Sequence, residues 1–277
     1  MIRDNQYEIR ALISGACSGL AQAVIKSLEH DFIIFACDIN PEILEIYKGH
    51  RNIQSFLCDV TDISQINSIK DKISLTSNKL DLIINFAGIV FLGSVIEMAP
   101  EIIEKTLQIN LIGTYKINYV FFPLIKEGKG RIIIMSSEYG RLLGLPFHSF
   151  YTLSKHALEI YDDSLRREVQ CFGVKIITIR PGSFNTKMVS NINNQFNELV
   201  VATKSFKKPL NKMKAMMLGE IRKAKDPNKI VKTFNKVINS KKPRLIYCVN
   251  NSLKMKMLNI LPSRLQDYIL NKFFRND

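Results

Sequence analysis

Short apolar runs recur along the chain at 9–13, 32–37, 53–57, 80–86, 130–135, 174–179 and 245–249. Most are rich in Ile and Val and lack polar alternation, which is what strands covered on both faces require. Helical segments lie between them. Strands of this kind alternating with helices predict an α/β fold: a Rossmann-type, doubly wound parallel sheet of about seven strands with helices on both faces. The pattern fits one domain over 1–250. Pro123 is expected to stop a long connecting helix, because proline lacks the amide that helix bonding needs.

Two later stretches break the pattern. Residues 203–225 are lysine-rich with little clean periodicity, and the expectation is a mobile substrate-loop insertion over about 187–226. Beyond the last run, 251–277 reads as a basic amphipathic helical extension. Ser263 and Gln266 have the spacing of an N-cap and its partner. Leu265, Tyr268, Ile269 and Phe273 fall on one helix face.

Charge sharpens this division. The net charge is +14, yet residues 1–200 sum to −1 and residues 201–277 to +15. So lopsided a balance points to an anionic partner for the C-terminal part, a membrane surface, an acidic carrier protein or an acidic substrate group, with a solvated lysine-rich surface as the alternative; nucleic acid is not expected. The first ten residues hold no apolar core of the kind a secretion signal needs. The longest uncharged stretch, 82–96, is shorter than the roughly 20 residues of a bilayer span. The expected location is the cytoplasm, with peripheral contact to membrane. Five scattered cysteines without paired spacing argue for reduced thiols. Four histidines without ligand spacing argue against a metal site.

Candidate chemistry begins after the first strand, at Ser14-Gly15-Ala16-Cys17-Ser18-Gly19-Leu20-Ala21. Glycines here let the backbone turn tightly and let amides approach a pyrophosphate at the positive end of a helix. Asp38, followed by Ile39, ends the second strand, where a carboxylate can hold both hydroxyls of an adenosine ribose. That carboxylate repels a 2′-phosphate, and the loop offers no cation to attract one. NAD is the expected cofactor. Tyr151 and Lys155 stand one helical turn apart, so phenol and ammonium share a face. An adjacent ammonium and the positive nicotinamide ring both favour the phenolate and lower a pKa that starts near 10.

With these residues in hand, the chain resembles the short-chain dehydrogenase/reductase family, and the stretch from Gly140 to Val174, with Gly-Leu-Pro-Phe at 144–147 and SLRREVQCFGVK at 164–175, looks most like its hydroxysteroid and retinol dehydrogenase-like branch. The family glycine motif, TGxxxGxG, appears with Ser14 for threonine and Ala21 for the last glycine. Asp59-Val60 resembles the pair that touches adenine, and Asn85-Phe86-Ala87-Gly88 resembles the NNAG motif with Phe86 as a departure. Pro181-Gly182-Ser183-Phe184-Asn185-Thr186 is similar to PGxxxT, whose threonine holds the nicotinamide carboxamide. The resemblance spans residues 9 to about 190. It implies Tyr151 as proton donor and acceptor, Lys155 as its modulator and ribose ligand, Ser137 at the substrate oxygen, and Asn110 in a proton path. The Ser137–Tyr151 spacing is one residue longer than usual, leaving Ser136 as the alternative.

The branch implies a hydrophobic secondary alcohol or ketone, steroid-, retinoid- or lipid-like. Phe147, Phe150, Phe184, Met188, Met213, Met216 and Met217 are candidates for its pocket. Two other readings stay open: a reductase of 3-oxoacyl groups on an acidic carrier protein, and a non-catalytic NAD-binding sensor or membrane-surface module. Family analogy implies a homodimer or homotetramer through the helices that carry Asn110 and Tyr151.

Overall fold

The structure is a computed structural model and describes residues 9–275. Each apolar run becomes a strand: β1 Ile9–Ser14, β2 Phe32–Asp38, β3 Ile53–Leu57, β4 Leu82–Asn85, β5 Arg131–Met135, β6 Lys175–Pro181 and β7 Ile246–Val249. They form one parallel sheet in the order β3-β2-β1-β4-β5-β6-β7. The order reverses between β1 and β4, and that switch point opens a crevice at the carboxyl ends of the strands.

The missing polar alternation has a direct cause. Ala11 and Ile13 face one layer and Leu12 the other, and all three are fully buried. One layer is made by α1 Gly19–Leu28, α2 Ile43–Ile46 and, later in the chain, α10 Asn228–Asn239. The opposite layer holds α3 Ile63–Ser74, then α4 Pro100–Leu107, α5 Thr114–Glu127 and α6 Ser149–Val169. A π-helical turn, Gln108–Gly113, joins α4 to α5 without a break.

Pro123 does not stop its helix. It sits inside α5, which continues to Glu127. The carbonyl that loses its helical partner belongs to Tyr119, which is 61% exposed, so solvent can replace the bond.

The lysine-rich stretch is also helical. After α7 Lys187–Ser190 come α8 Ile192–Ala202 and α9 Lys207–Ile221. Leu210, Met213 and Met217 of α9 are buried at helical spacing that the intervening lysines hide. With Val90, Leu92, Leu145, Phe147, Ile192 and Phe196 they make a third apolar cluster beside the crevice.

The chain ends in α11 Leu253–Ile260 and α12 Ser263–Phe274. Ser263 is the first helical residue, not the cap, which is Pro262. Gln266 instead turns back and donates from Nε2 to the Leu261 carbonyl at 2.7 Å. The expected apolar face is not the docked one: Leu265, Tyr268, Ile269 and Phe273 are exposed, whereas Leu270 and Phe274 pack on the third cluster.

Candidate active site

The first wall of the crevice is made of backbone. Gly15 has φ +68°, and a Cβ there would lie 2.5 Å from the Ala87 amide nitrogen, so the loop after β1 presses directly on the strand end of β4. Ser18 caps α1, its Oγ accepting from the Ala21 amide at 3.3 Å. At Gly19 a Cβ would stand 3.3 Å from Thr186 Cγ2, which brings 181–186 over the start of α1.

Asp38 ends β2 and accepts from the Cys17 amide at 2.8 Å and the Asn40 amide at 2.9 Å. Burial first, then the charge of Asp38, pushes the Cys17 thiol up to about 12, so it stays protonated. Ile39 beside it is 64% exposed. At the end of β3, Asp59 accepts from the amide and hydroxyl of Thr61, and Val60 is buried against Gly113.

Ser14 and Asn85 are buried at the ends of β1 and β4. Asn85 Nδ2 donates to Asn118 Oδ1 at 2.9 Å, and its own Oδ1, like Ser14 Oγ, has no protein partner among the described residues. Phe86 lines the crevice and stacks on Phe234 of α10, centroids 5.5 Å apart, which accommodates the departure from asparagine. Of the residues singled out for cofactor binding, Cys17, Ser18, Gly19, Leu20, Gly88, Tyr151, Lys155, Pro181, Gly182, Phe184 and Thr186 share the crevice lining.

Tyr151, Lys155 and Ser137 meet where α6 crosses the end of β5. Tyr151 lies in the first turn of α6 and lines the crevice together with Ser137, the neighbour that favours its phenolate. Lys155 Nζ donates to the Met135 carbonyl at 2.9 Å and stands 5.8 Å from the Tyr151 ring centroid. Ser136 points elsewhere: its Oγ donates to Glu159 Oε1 at 2.7 Å.

Asn110 occupies the π-helical turn, a local widening often found at functional sites. It accepts from the Ile89 amide at 2.8 Å and donates to the Ile89 carbonyl at 3.0 Å and Ser154 Oγ at 2.9 Å. Only a glycine separates it from the lysine, since a Cβ on Gly88 would meet Asn110 Oδ1 at 3.3 Å and Lys155 Nζ at 3.7 Å.

Burial pushes the Tyr151 phenol above its ordinary value, opposed by Ser137. Burial also takes the Lys155 ammonium down to about 8, against the pull of Asp162 and Glu159.

Several site residues carry no motif. Glu159 is buried and gripped by Arg180, with Arg141 Nε at 3.1 Å, and Gly140 must be glycine because a Cβ there would lie 2.2 Å from Glu159 Oε1. Asp162 accepts from Thr178 Oγ1 at 3.0 Å, and burial pushes its carboxyl up to about 8. Both stand at helical spacing from Lys155, four and seven residues on, and that spacing is the signal that sequence reading passed over. His148 is buried, stacks on Tyr139 at 4.3 Å between centroids, and meets the Tyr151 ring edge-on at 5.2 Å. Burial holds its imidazole neutral, down to about 4. Phe147, just before it, has φ +62°, a left-handed conformation that costs a bulky side chain on the order of 1–3 kcal/mol.

The rest of the lining is mostly apolar: Val90, Met135, Phe184, Met188, Val189, Ile192, Met217 and Ile221. Phe147 and Met213 lie in the cluster behind it, Met216 packs against that cluster, and Phe150 is outside the lining.

A parallel sheet in this order, with a glycine-turned loop at its switch point and a Tyr–Lys pair across from it, defines a nucleotide-binding dehydrogenase fold. The family model for short chain dehydrogenase matches residues 10–197. The chain belongs to the short-chain dehydrogenase family of oxidoreductases. A 3-ketodihydrosphingosine reductase of Bacteroides thetaiotaomicron is 25% identical over 268 residues, covering 95% of this chain and 97% of the relative. The 3beta-hydroxysteroid dehydrogenase dhs-16 of Caenorhabditis elegans is 29% identical, covering 95% and 74%. Two solved structures share the fold. A short-chain dehydrogenase/reductase of Burkholderia phymatum in complex with NAD has a TM-score of 0.73 at 18% identity, covering 86% and 88%. One of Burkholderia cenocepacia in complex with NADP has a TM-score of 0.71 at 18% identity, covering 95% and 97%.

Proposed function

We propose that this protein interconverts a secondary alcohol and a ketone on a hydrophobic, steroid-, retinoid- or lipid-like substrate, with NAD(H) as hydride carrier. The observation that carries the reading is the juxtaposition of Tyr151, Ser137 and Lys155 with a wall that is otherwise largely apolar. The tight turn at Gly15, the start of α1 at Gly19, Asp38, Lys155 and Thr186 fit a dinucleotide, which needs a close backbone approach for its phosphates and a carboxylate for its ribose. When bound, that cofactor supplies or accepts the hydride. Asp38, with no Lys or Arg in the loop from Ala16 to Ser18, favours NAD over NADP.

The protein's own steps concern the proton and the charge on oxygen. In reduction, the phenol of Tyr151 gives its proton to the carbonyl oxygen as charge builds there; in oxidation the phenolate takes it back. Ser137 donates a hydrogen bond to the same oxygen, from a backbone already fixed by the end of β5. Lys155, held by the Met135 carbonyl, keeps a positive charge close to the phenol and stabilises the phenolate. Asn110 fixes the Ile89 backbone beside Gly88 and faces Lys155, on the inner end of a path to solvent.

A homodimer or homotetramer through α5 and α6 fits the exposed Tyr115, Tyr119 and Ile160 on those helices.

The test is a screen of steroid, retinoid and long-chain ketones and alcohols, following NADH absorbance, in wild type and Lys155→Met. Turnover of an apolar ketone, with both turnover and NADH affinity falling in the variant, is the expected result. Turnover confined to carrier-linked 3-oxoacyl groups would replace this substrate reading with the carrier one.

A further inference from the structure

Helices α11 and α12 cover the apolar cluster beside the site, and each does so with one side only. Met255 packs inward from α11, and Leu270 and Phe274 from α12, the Phe274 ring standing 6.2 Å from that of Phe147.

The other side of α11 is apolar and open. Leu253, Met257 and Ile260 recur at i, i+4 and i+7 and are 71%, 63% and 82% exposed. At about 100° per residue, Lys254 and Lys256 fall on the two flanks of that stripe, with Met255 opposite it. On α12, Leu265, Tyr268, Ile269 and Phe273 form a second exposed stripe, with Lys272 within it and Arg264 at its margin. Residues 253–275 hold Lys254, Lys256, Arg264, Lys272 and Arg275 against Asp267 alone, a balance of +4.

We propose that α11 and α12 form an interfacial anchor that lies on an anionic lipid surface. An apolar stripe edged by lysines matches the boundary between acyl chains and headgroups: the stripe enters the first and the ammonium groups stay in the second. A second copy of the chain fits poorly, because it would set one +4 surface against another. Among the described residues no helix is long and apolar enough to cross a membrane, so the anchor lies on the surface and does not span. The anchor stands on exposure and charge, independently of the reaction assigned above. Its consequence for that reaction is positional. The Ser252 amide, at the cap of α11, donates to Glu138 of the crevice lining at 2.8 Å, so the same two helices connect the lipid face to the site.

The experiment uses the full chain and sedimentation with two vesicle types, phosphatidylcholine alone and phosphatidylcholine with phosphatidylglycerol in equal parts. Binding to the anionic vesicles only, weakening as salt shortens a Debye length of about 8 Å, is the expected result. Lys254→Gln with Lys256→Gln is expected to weaken it about thirtyfold, two basic residues at about 1 kcal/mol each. Ile260→Glu with Tyr268→Glu is expected to abolish it while circular dichroism and turnover of a water-soluble ketone stay unchanged, since both side chains are exposed. Equal sedimentation with both vesicle types, or undiminished binding in both variants, overturns the proposal. So does a dimer in gel filtration that dissociates on Ile260→Glu, or salt-sensitive capture of an acidic carrier protein without vesicle binding.

Discussion

The two walls of the crevice are built on different principles. The cofactor wall is fixed by main chain: Gly15 against Ala87, Gly19 against Thr186, and Asp38 tied by two amides. The substrate wall is fixed by side chains from four helices and two loops, with His148, Tyr139, Met188, Ile192 and Met217 meeting from distant parts of the sequence. Main-chain constraints permit few residue types, so the first wall leaves a short motif. A wall of side chains can be rebuilt with other apolar residues of similar volume, so it leaves none. One wall is legible in the chain and the other is not.

The largest effect is expected where the walls meet. Tyr151→Phe keeps the ring and removes the proton, and kcat is expected to fall at least about a thousandfold with NADH still bound, since general acid–base help is typically 10²–10⁴-fold. Titrating NADH by fluorescence beside the kinetics separates the two; near-normal turnover would sink the assigned role of the phenol.

On the cofactor wall, Asp38→Asn keeps an acceptor for the Cys17 amide and removes the charge. The ratio of kcat/KM values for NADH and NADPH is then expected to move toward NADPH by more than about tenfold, or about 1.4 kcal/mol. A wild-type enzyme that already prefers NADPH would break the distinction this wall is argued to make.

On the substrate wall, His148→Phe keeps the stacking on Tyr139 and deletes a buried Nδ1 that has no partner among the described residues. The midpoint of urea unfolding is expected to rise slightly, since an unsatisfied buried polar atom costs about 1–3 kcal/mol. KM for the ketone is expected to change by less than about tenfold, with kcat less affected, as for a group that binds equally before and during reaction. A kcat loss on the scale of Tyr151→Phe would mean that this imidazole belongs to the reacting set.

The smallest effect lies behind both walls, at Asp162. Its folded pKa of about 8 exceeds the ordinary 3.8, so its contribution to stability is complete below the lower value and is lost as pH rises to the upper one. His148 works in the opposite direction between about 4 and 6.5, and Lys155, lowered from 10.5 to about 8, does so only above 8. Between pH 6.5 and 8 the slope from Asp162 stands alone of the three. Tm is expected to fall across that interval in wild type and to stay level in Asp162→Asn, by about 2–4 °C for each kcal/mol. A parallel fall in both proteins would assign the slope to another group.

The sequence by itself determined the parallel strands, because strands buried on both faces must be continuous runs of apolar residues with helices between them to cover both sides. It also determined the turn at Gly15, the carboxylate at Asp38 and the Tyr151–Lys155 face, since each depends on neighbours within one turn or one strand end. Only the tertiary structure told the two serines apart. Ser136 and Ser137 are alike in the chain, and the difference is that Glu159, 23 residues on, takes the first. It likewise decided that Pro123 is tolerated, that the lysine-rich stretch hides a buried helix face, and that Leu265, Tyr268, Ile269 and Phe273 look outward. Each of these depends on what lies opposite in space, and periodicity can show that a helix has an apolar face without showing what meets it.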